Sequence, residues 1–126
     1  MHDKPFESSL EHIDLNFRNK QTPHKFLISL GFNPSELGFA YLAYGITIAY
    51  ANRKAFYSNK FYILSAIANE FHVTKNRAID NMQHSIYNAW QGVNAKEVRR
   101  LFPSTEFILP KPLDFICSAA IMLTEE

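Results

Sequence analysis

The sequence predicts a single all-α domain, and three observations support this fold class. The chain has 126 residues, of which 47% are hydrophobic, so it can bury one core but not two ordinary ones. Helix start signals, each a capping residue or a proline before an apolar run, recur along it. The one strand-like run, residues 106–109, lies between two prolines and is expected to be an extended connection. We therefore predict a bundle-like domain of roughly six helices that contains a helix-turn-helix.

The first 21 residues are predicted to form an extra amphipathic helix ahead of the main domain, which spans residues 22–126. Phe6, Leu10, Ile13 and Phe17 recur at spacings of four, three and four, with charged residues between them. The apolar stripe that they form could dock on the domain, meet another copy of the chain or end a linker from a further domain. We assign these four residues as a candidate partner interface.

Two further helices are predicted from local signals in residues 22–52. A Thr-Pro pair at positions 22–23 opens a helix with three apolar residues, and Gly31 suits a left-handed cap at its end. The tetrapeptide Asn-Pro-Ser-Glu at positions 33–36 then combines an N-cap, a proline at the first helical position and a carboxylate three residues after the cap. It predicts a helix from Pro34 to about Asn52. Residues 37–51 are apolar on every face, so we expect this helix to be the central one.

Two more helices are predicted in the C-terminal part of the chain. The tetrapeptide Asn-Ala-Lys-Glu at positions 94–97 repeats the capping pattern and opens a short helix that Pro103 ends. Pro112 opens the last helix, which has two adjacent apolar rows. These rows consist of Phe115, Ala119 and Met122, and of Ile116, Ala120 and Leu123.

Several classes of protein are excluded by composition and spacing. The longest predominantly apolar, uncharged stretch is the fifteen residues 37–51, against roughly 20 for a membrane-spanning helix, and the N-terminus lacks the apolar run of a secretory signal. Cys117 is the single cysteine, which suits a reducing compartment and, among apolar neighbours, a buried and inert thiol. The five histidines form no close metal-binding pair, and no nucleophile has an evident base. We expect a cytoplasmic protein that is not an enzyme and needs no metal, cofactor or small-molecule substrate.

Residues 58–91 carry the pattern that bears on function. An apolar stripe from Phe61 to Phe71 is followed by a short link at residues 72–74 and by a second stripe, and Thr74 can cap the second helix. The predicted buried side of this second helix consists of Ala78, Ile79, Met82, Ile86, Ala89 and Trp90. The predicted outward side consists of Asn76, Arg77, Asp80, Asn81, Gln83, His84, Tyr87 and Asn88. Such side chains hydrogen-bond base edges and phosphates in the major groove of DNA.

The charge distribution favours an anionic partner for this helix pair. Residues 53–100 carry eight basic and three acidic side chains, whereas both flanking parts of the chain are net negative. Lys75 and Arg77 lie in the first helical turn, where the macrodipole makes each unfavourable by about 0.3–1 kcal/mol. A phosphate at this helix terminus would accept the free N–H groups and neutralise both cations. Alternatively, Asp80 could pair with Arg77 one turn away and leave a solvated helix face.

An ordered set of residues between positions 24 and 123 carries a family resemblance. The set includes Gly31, Gly38-Phe39-Ala40-Tyr41-Leu42, Ile67-Ala68, Phe71, Thr74, Arg77, His84, Ala89-Trp90, Asn94, Leu101-Phe102 and Lys111-Pro112. In these residues the chain resembles the C-terminal effector domain of the master response regulator that starts sporulation in endospore-forming Firmicutes. The resemblance implies an all-helical domain whose helix from Thr74 to about Gln91 enters the major groove of a short operator box, often with two copies side by side.

The chain departs from this family where the family reads bases. Of the matching positions 76, 77, 79, 80 and 83, only Arg77 has the family's usual residue type. Asp80 and Gln83 stand where the family usually has arginine, and Ile79 stands where it has an acidic residue. Either the operator differs, with Asp80 accepting from a cytosine amine, or affinity for DNA has been lost. The family's N-terminal receiver domain has no counterpart in the roughly 22 residues before the similarity, so the chain is expected to be a fragment or a stand-alone paralogue.

We predict a sequence-specific, DNA-binding transcription regulator whose partner is double-stranded DNA, with a homodimer forming on tandem sites. The predicted base contacts are Asn76, Arg77, Asp80 and Gln83. The predicted contacts to the DNA backbone are Thr74, Lys75, His84, Arg53, Lys54 and Lys60. The alternative is a degenerate relative that binds protein. It would antagonise or assist a true regulator through the N-terminal apolar stripe, or would use this stripe to form a homodimer.

Overall fold

A computed structural model describes residues 22–52, 60–92, 95–101 and 109–125. These ranges contain six helices, namely α1 (Pro23–Ser29), α2 (Leu37–Ala51), α3 (Phe61–Phe71), α4 (Lys75–Trp90), α5 (Ala95–Leu101) and α6 (Pro112–Glu125), and no strand. The all-α prediction is confirmed. The predicted N-terminal helix with Phe6, Leu10, Ile13 and Phe17, and the candidates Arg53 and Lys54, lie outside the described residues.

Helix α2 is the centre of the fold, as its uniformly apolar sequence predicts. It packs against α1, α3, α4 and α6. Leu42, Ile46 and Ala49 are fully buried along its length, which removes a large apolar area from water. The surrounding helices therefore take their positions from α2. No helix in the described ranges is both long and apolar enough to cross a bilayer.

The prediction for the start of α2 was wrong by three residues. The helix begins at Leu37 rather than Pro34, and extended Glu36 precedes it without a side-chain capping bond. The Asn33 carboxamide oxygen instead accepts hydrogen bonds from the Ser35 amide at 3.0 Å and from the Ser35 hydroxyl at 2.8 Å. Asn and Asp side chains stabilise local turns in this way, so the capping signal produces a turn ahead of the helix.

The predicted ends of α1 and the predicted core face of α6 are confirmed. The Thr22 hydroxyl accepts from the Lys25 amide at 3.1 Å, and Gly31 has a φ of 90°, a conformation that glycine adopts without strain. Both apolar rows of α6 face the core, with only Met122 half-buried. The Phe115 ring packs 5.3 Å from Phe32 and 6.2 Å from Trp90. These aromatic contacts connect α6 with the region after α1 and with the end of α4.

Among the residues that the structure describes, three groups hold their protons more tightly in the folded state than in the unfolded one. Burial raises the pKa of the half-buried Cys117 thiol from 9.0. Burial and the neighbouring Glu70 carboxylate raise the pKa of Tyr44 from 10.0. The hydrogen bond to Asp114 raises the pKa of Lys60 from 10.5. Each group therefore stabilises the fold below its unfolded pKa, and this contribution is lost as pH rises through the folded value.

We expect the free energy of unfolding to fall as pH increases above about 9, because these three groups bind more protons in the folded state than in the unfolded state in this range. Urea denaturation between pH 8 and pH 11 measures the effect, and Tyr44→Phe should make the decline shallower. A free energy of unfolding that is constant or rises across this pH interval would contradict the raised pKa values of the three groups.

Candidate nucleic-acid interface

Helices α3 and α4 form the predicted helix-turn-helix. The chain reverses at His72, which has a left-handed conformation with a φ of 57°, and the Val73 amide donates to the Ala68 carbonyl at 3.1 Å. Thr74 is extended, and its hydroxyl accepts from the Arg77 amide at 3.1 Å. The predicted cap is thus confirmed. It satisfies one of the free amides at the start of a 16-residue helix.

The first turn of α4 is a cationic tip with no compensating acid. Lys75, Asn76 and Arg77 are all exposed, and the turn contains no acidic residue. Within the described part of the chain neither cation forms an ion pair, so the alternative pairing of Arg77 with Asp80 is not seen there. The macrodipole and both cations therefore present positive potential to solvent at one point.

One face of α4 consists of five exposed side chains, which we call the outer strip. They are Asn76, Arg77, Asp80, His84 and Tyr87. The opposite face is buried and consists of Ala78, Met82, Ser85, Ile86, Ala89 and Trp90. The predicted buried side is confirmed except that Ile79 is half-buried and that Ser85 is an additional buried residue.

Of the residues predicted to project outward, Asn81 and Gln83 are instead half-buried, and Asn88 is exposed as predicted but has a partner. Asn81 is half-buried where α2 crosses α4, and its amide nitrogen is buried with no hydrogen-bond partner among the described residues. Gln83 is half-buried beside a groove. Asn88 is exposed, but its amide nitrogen donates to the Glu36 carboxylate at 2.8 Å. A helical period places these residues at the edges of the polar face, and their neighbours in the fold decide which way they turn.

Glu36 connects the start of α2 to the C-terminal half of α4. Its carboxylate accepts from the Ser85 hydroxyl at 2.7 Å and from Asn88, on residues 49 and 52 positions away in the chain. Charge-assisted hydrogen bonds of this kind are stronger than neutral ones, so the connection helps to fix α4 on the core. The sequence indicated a capping role for Glu36, and no local signal could have revealed partners so distant.

The far end of α4 has its own cationic partner. The Arg99 guanidinium of α5 donates to the Trp90 carbonyl at 3.0 Å. A cation at a helix C-terminus complements the negative end of the macrodipole, and α4 has no basic residue in its last turn. One of the basic side chains in the positive middle of the chain thus stabilises α4 itself.

Lys60 is close to α4 but already has a partner. Its ammonium group donates to the Asp114 carboxylate at 2.7 Å, and the two side chains remain 46% and 54% exposed. A pair this exposed contributes at most about 1 kcal/mol to stability, so Lys60 can exchange partners. The pair borders a groove of about 420 Å³, lined among the described residues by Phe61, Leu64, Ile79, Gln83, Lys111 and Leu113. Lys111 is an exposed cation that the sequence reasoning did not select.

The comparison with protein families gives one decisive match. Residues 24–118 match the family model described as "Sporulation initiation factor Spo0A C terminal". The chain belongs to this family. The predicted resemblance is therefore confirmed. A search of curated proteins finds no match.

Membership in the Spo0A C-terminal family supports a regulatory role. The family is the DNA-binding domain of a sporulation regulator, which supports DNA-binding transcription regulation as the general function of this chain. It is a regulatory rather than a catalytic family.

Proposed function

We propose that this chain is a sequence-specific transcription regulator that inserts α4 into the major groove of a duplex operator. The exposed cationic tip of α4 is the observation that carries the proposal, because nothing among the described residues neutralises it. In a helix-turn-helix, the N-terminal residues of the second helix contact base edges. Here those residues are Lys75, Asn76 and Arg77.

Base reading is assigned to the N-terminal half of the outer strip. Arg77 can donate two hydrogen bonds to the O6 and N7 atoms of guanine, and Asn76 can pair with the N6 and N7 atoms of adenine. Asp80, one turn further on, can accept from the N4 amine of cytosine. Gln83 lies at the edge of this surface, where it would tune which bases are accepted.

Contacts to the DNA backbone are assigned to polar and basic residues other than the base readers. A phosphate at the helix tip would accept from free backbone amides near Thr74 and would neutralise Lys75. His84 lies on the same strip one turn beyond Asp80, and Lys60 could exchange Asp114 for a phosphate. Arg53 and Lys54 are further candidates by charge. On tandem boxes, two copies would bind side by side as a homodimer.

Selection from a random duplex pool tests this function directly. We expect an enriched motif, and an affinity for it that falls with salt. If about four phosphates are neutralised, the slope of log K against log salt concentration should be about −3.6. A pool that yields no enriched motif would rule out sequence-specific readout.

Replacing Asp80 with asparagine is expected to relax specificity while raising affinity for random duplexes. The change removes a negative charge beside a polyanion, and it turns an acceptor for cytosine into a group that can also donate. Discrimination worth about 1–3 kcal/mol at one base pair should be lost. Glu70→Gln is the control, since it removes one charge from an exposed residue of α3. Unchanged specificity in the Asp80 variant, measured by competition binding, would contradict the assigned role.

A further inference from the structure

The outer strip contains one residue that the proposed function does not use. Tyr87 is 47% exposed, and its hydroxyl has no hydrogen-bond partner among the described residues. It lies three positions after His84 and seven after Asp80, which places the three side chains along one row of the helix.

The rest of the C-terminal half of α4 leaves few groups free for a ligand. The Ser85 hydroxyl is buried and donates to Glu36, and the Asn88 amide donates to the same carboxylate. His84 and Tyr87 are therefore the polar side chains of residues 84–88 that face solvent without such a bond.

The length of the helix decides what Tyr87 would meet on DNA. Eleven positions separate it from Asn76, which at about 1.5 Å per residue is about 16 Å along the axis. The major groove is only about 12 Å wide. With Asn76 and Arg77 against base edges and the helix crossing the groove, Tyr87 would lie beyond the groove, at the level of the flanking sugar-phosphate strand.

We propose that the Tyr87 hydroxyl donates a hydrogen bond to a phosphate of the DNA backbone. This inference rests on the proposed function, because it requires α4 to enter the major groove by its N-terminal end. The phenol is a neutral donor, and tyrosine is among the side chains that contact phosphate oxygens. Such a contact fixes the orientation of the helix on the duplex and carries no base preference.

Tyr87→Phe tests the inference, because it removes the hydroxyl and keeps the ring. We expect binding to selected and to random duplexes to weaken by the same factor, about two- to tenfold. The salt slope should not change, since a neutral donor releases no counterion. Tyr62→Phe is a matched control. Tyr62 is 48% exposed and lies on α3 rather than on α4, so loss of its hydroxyl should leave binding unchanged.

The outcomes separate this inference from the function on which it rests. If the wild-type chain binds duplexes but Tyr87→Phe binds equally well, the phosphate contact is wrong and the proposed function stands. Weakening confined to selected duplexes would also overturn it, because that pattern belongs to a base contact. A wild-type chain that binds no duplex would overturn both.

A scan of neutral methylphosphonate substitutions through the selected duplex then locates the contact. We expect one position at which the substitution weakens the wild-type chain and has no effect on Tyr87→Phe. If every position affects both proteins equally, the assigned bond does not exist.

Discussion

Gly38→Ala is expected to lower the free energy of unfolding by about 1–3 kcal/mol, the largest loss of stability that we predict for a single methyl group. The added Cβ would lie 2.8 Å from the Asn81 carbonyl carbon and closer still to the Asn81 oxygen and the Ser85 hydroxyl oxygen. Two of these atoms belong to the backbone of α4, so they cannot rotate away. The α2–α4 contact would have to open, and the bond from Ser85 to Glu36 would be strained with it.

Urea denaturation of this variant should be compared with that of Gly92→Ala. A Cβ at Gly92 would have the Asn88 carbonyl oxygen as its nearest neighbour, at an ordinary 3.4 Å. The control thus makes the same chemical change without a clash, and its stability should stay within about 0.5 kcal/mol of the wild-type value. Equal stability of the two variants would show that α2 and α4 do not approach as closely as described.

The fold was predictable where the signals are local. Thr22 and Thr74 cap helices because the side chain of each bonds an amide three residues ahead, and such a bond needs no information from the rest of the chain. The uniformly apolar residues 37–51 likewise require burial on all sides, which only a central helix provides.

The start of α2 could not be predicted from the same kind of signal. Residues 33–36 satisfy a helix-start pattern, but the Asn33 side chain bonds within its own turn and Glu36 bonds across to α4. Both bonds form in the fold, and the bond of Glu36 requires that α4 lies within reach. A pattern of four residues does not contain that information.

The candidate site was predictable in its centre and not at its edges. Asn76, Arg77, Asp80 and His84 face solvent as the helical period requires. Asn81 and Gln83 lie at the borders of the same face. Asn81 is half-buried against α2, and Gln83 is half-buried in the lining of the groove beside α3.

Arg77→Ala should produce the largest functional effect. We expect binding to the selected duplex to weaken by about 1–3 kcal/mol, or roughly 5- to 150-fold, and binding to random duplexes to weaken much less. The cap should survive, since the Thr74 hydroxyl accepts from the Arg77 backbone amide, which alanine retains. The loss can therefore be attributed to the guanidinium group.

Lys75→Ala is the control for the loss of one positive charge in the first turn of α4. Both residues are exposed cations in the first turn of α4. Because Lys75 is the one assigned to a phosphate, Lys75→Ala should make the salt slope shallower by about 0.9. Only Arg77→Ala should lose preference for the selected motif. Replacing the contacted guanine with 7-deazaguanine should weaken the wild-type chain and leave Arg77→Ala unaffected, and an equal loss for both would contradict the base contact.

Stability provides an independent check, because a binding role and a structural role predict opposite signs. A cation in the first turn opposes the helix macrodipole, so removing the Arg77 charge should stabilise the free domain by about 0.3–1 kcal/mol. The same substitution should weaken binding to the selected duplex. Stability that rises while affinity falls is expected of a residue retained for its ligand at a cost to the fold. If the denaturation midpoint falls together with affinity, Arg77 supports the structure and the cationic tip is not the reading surface.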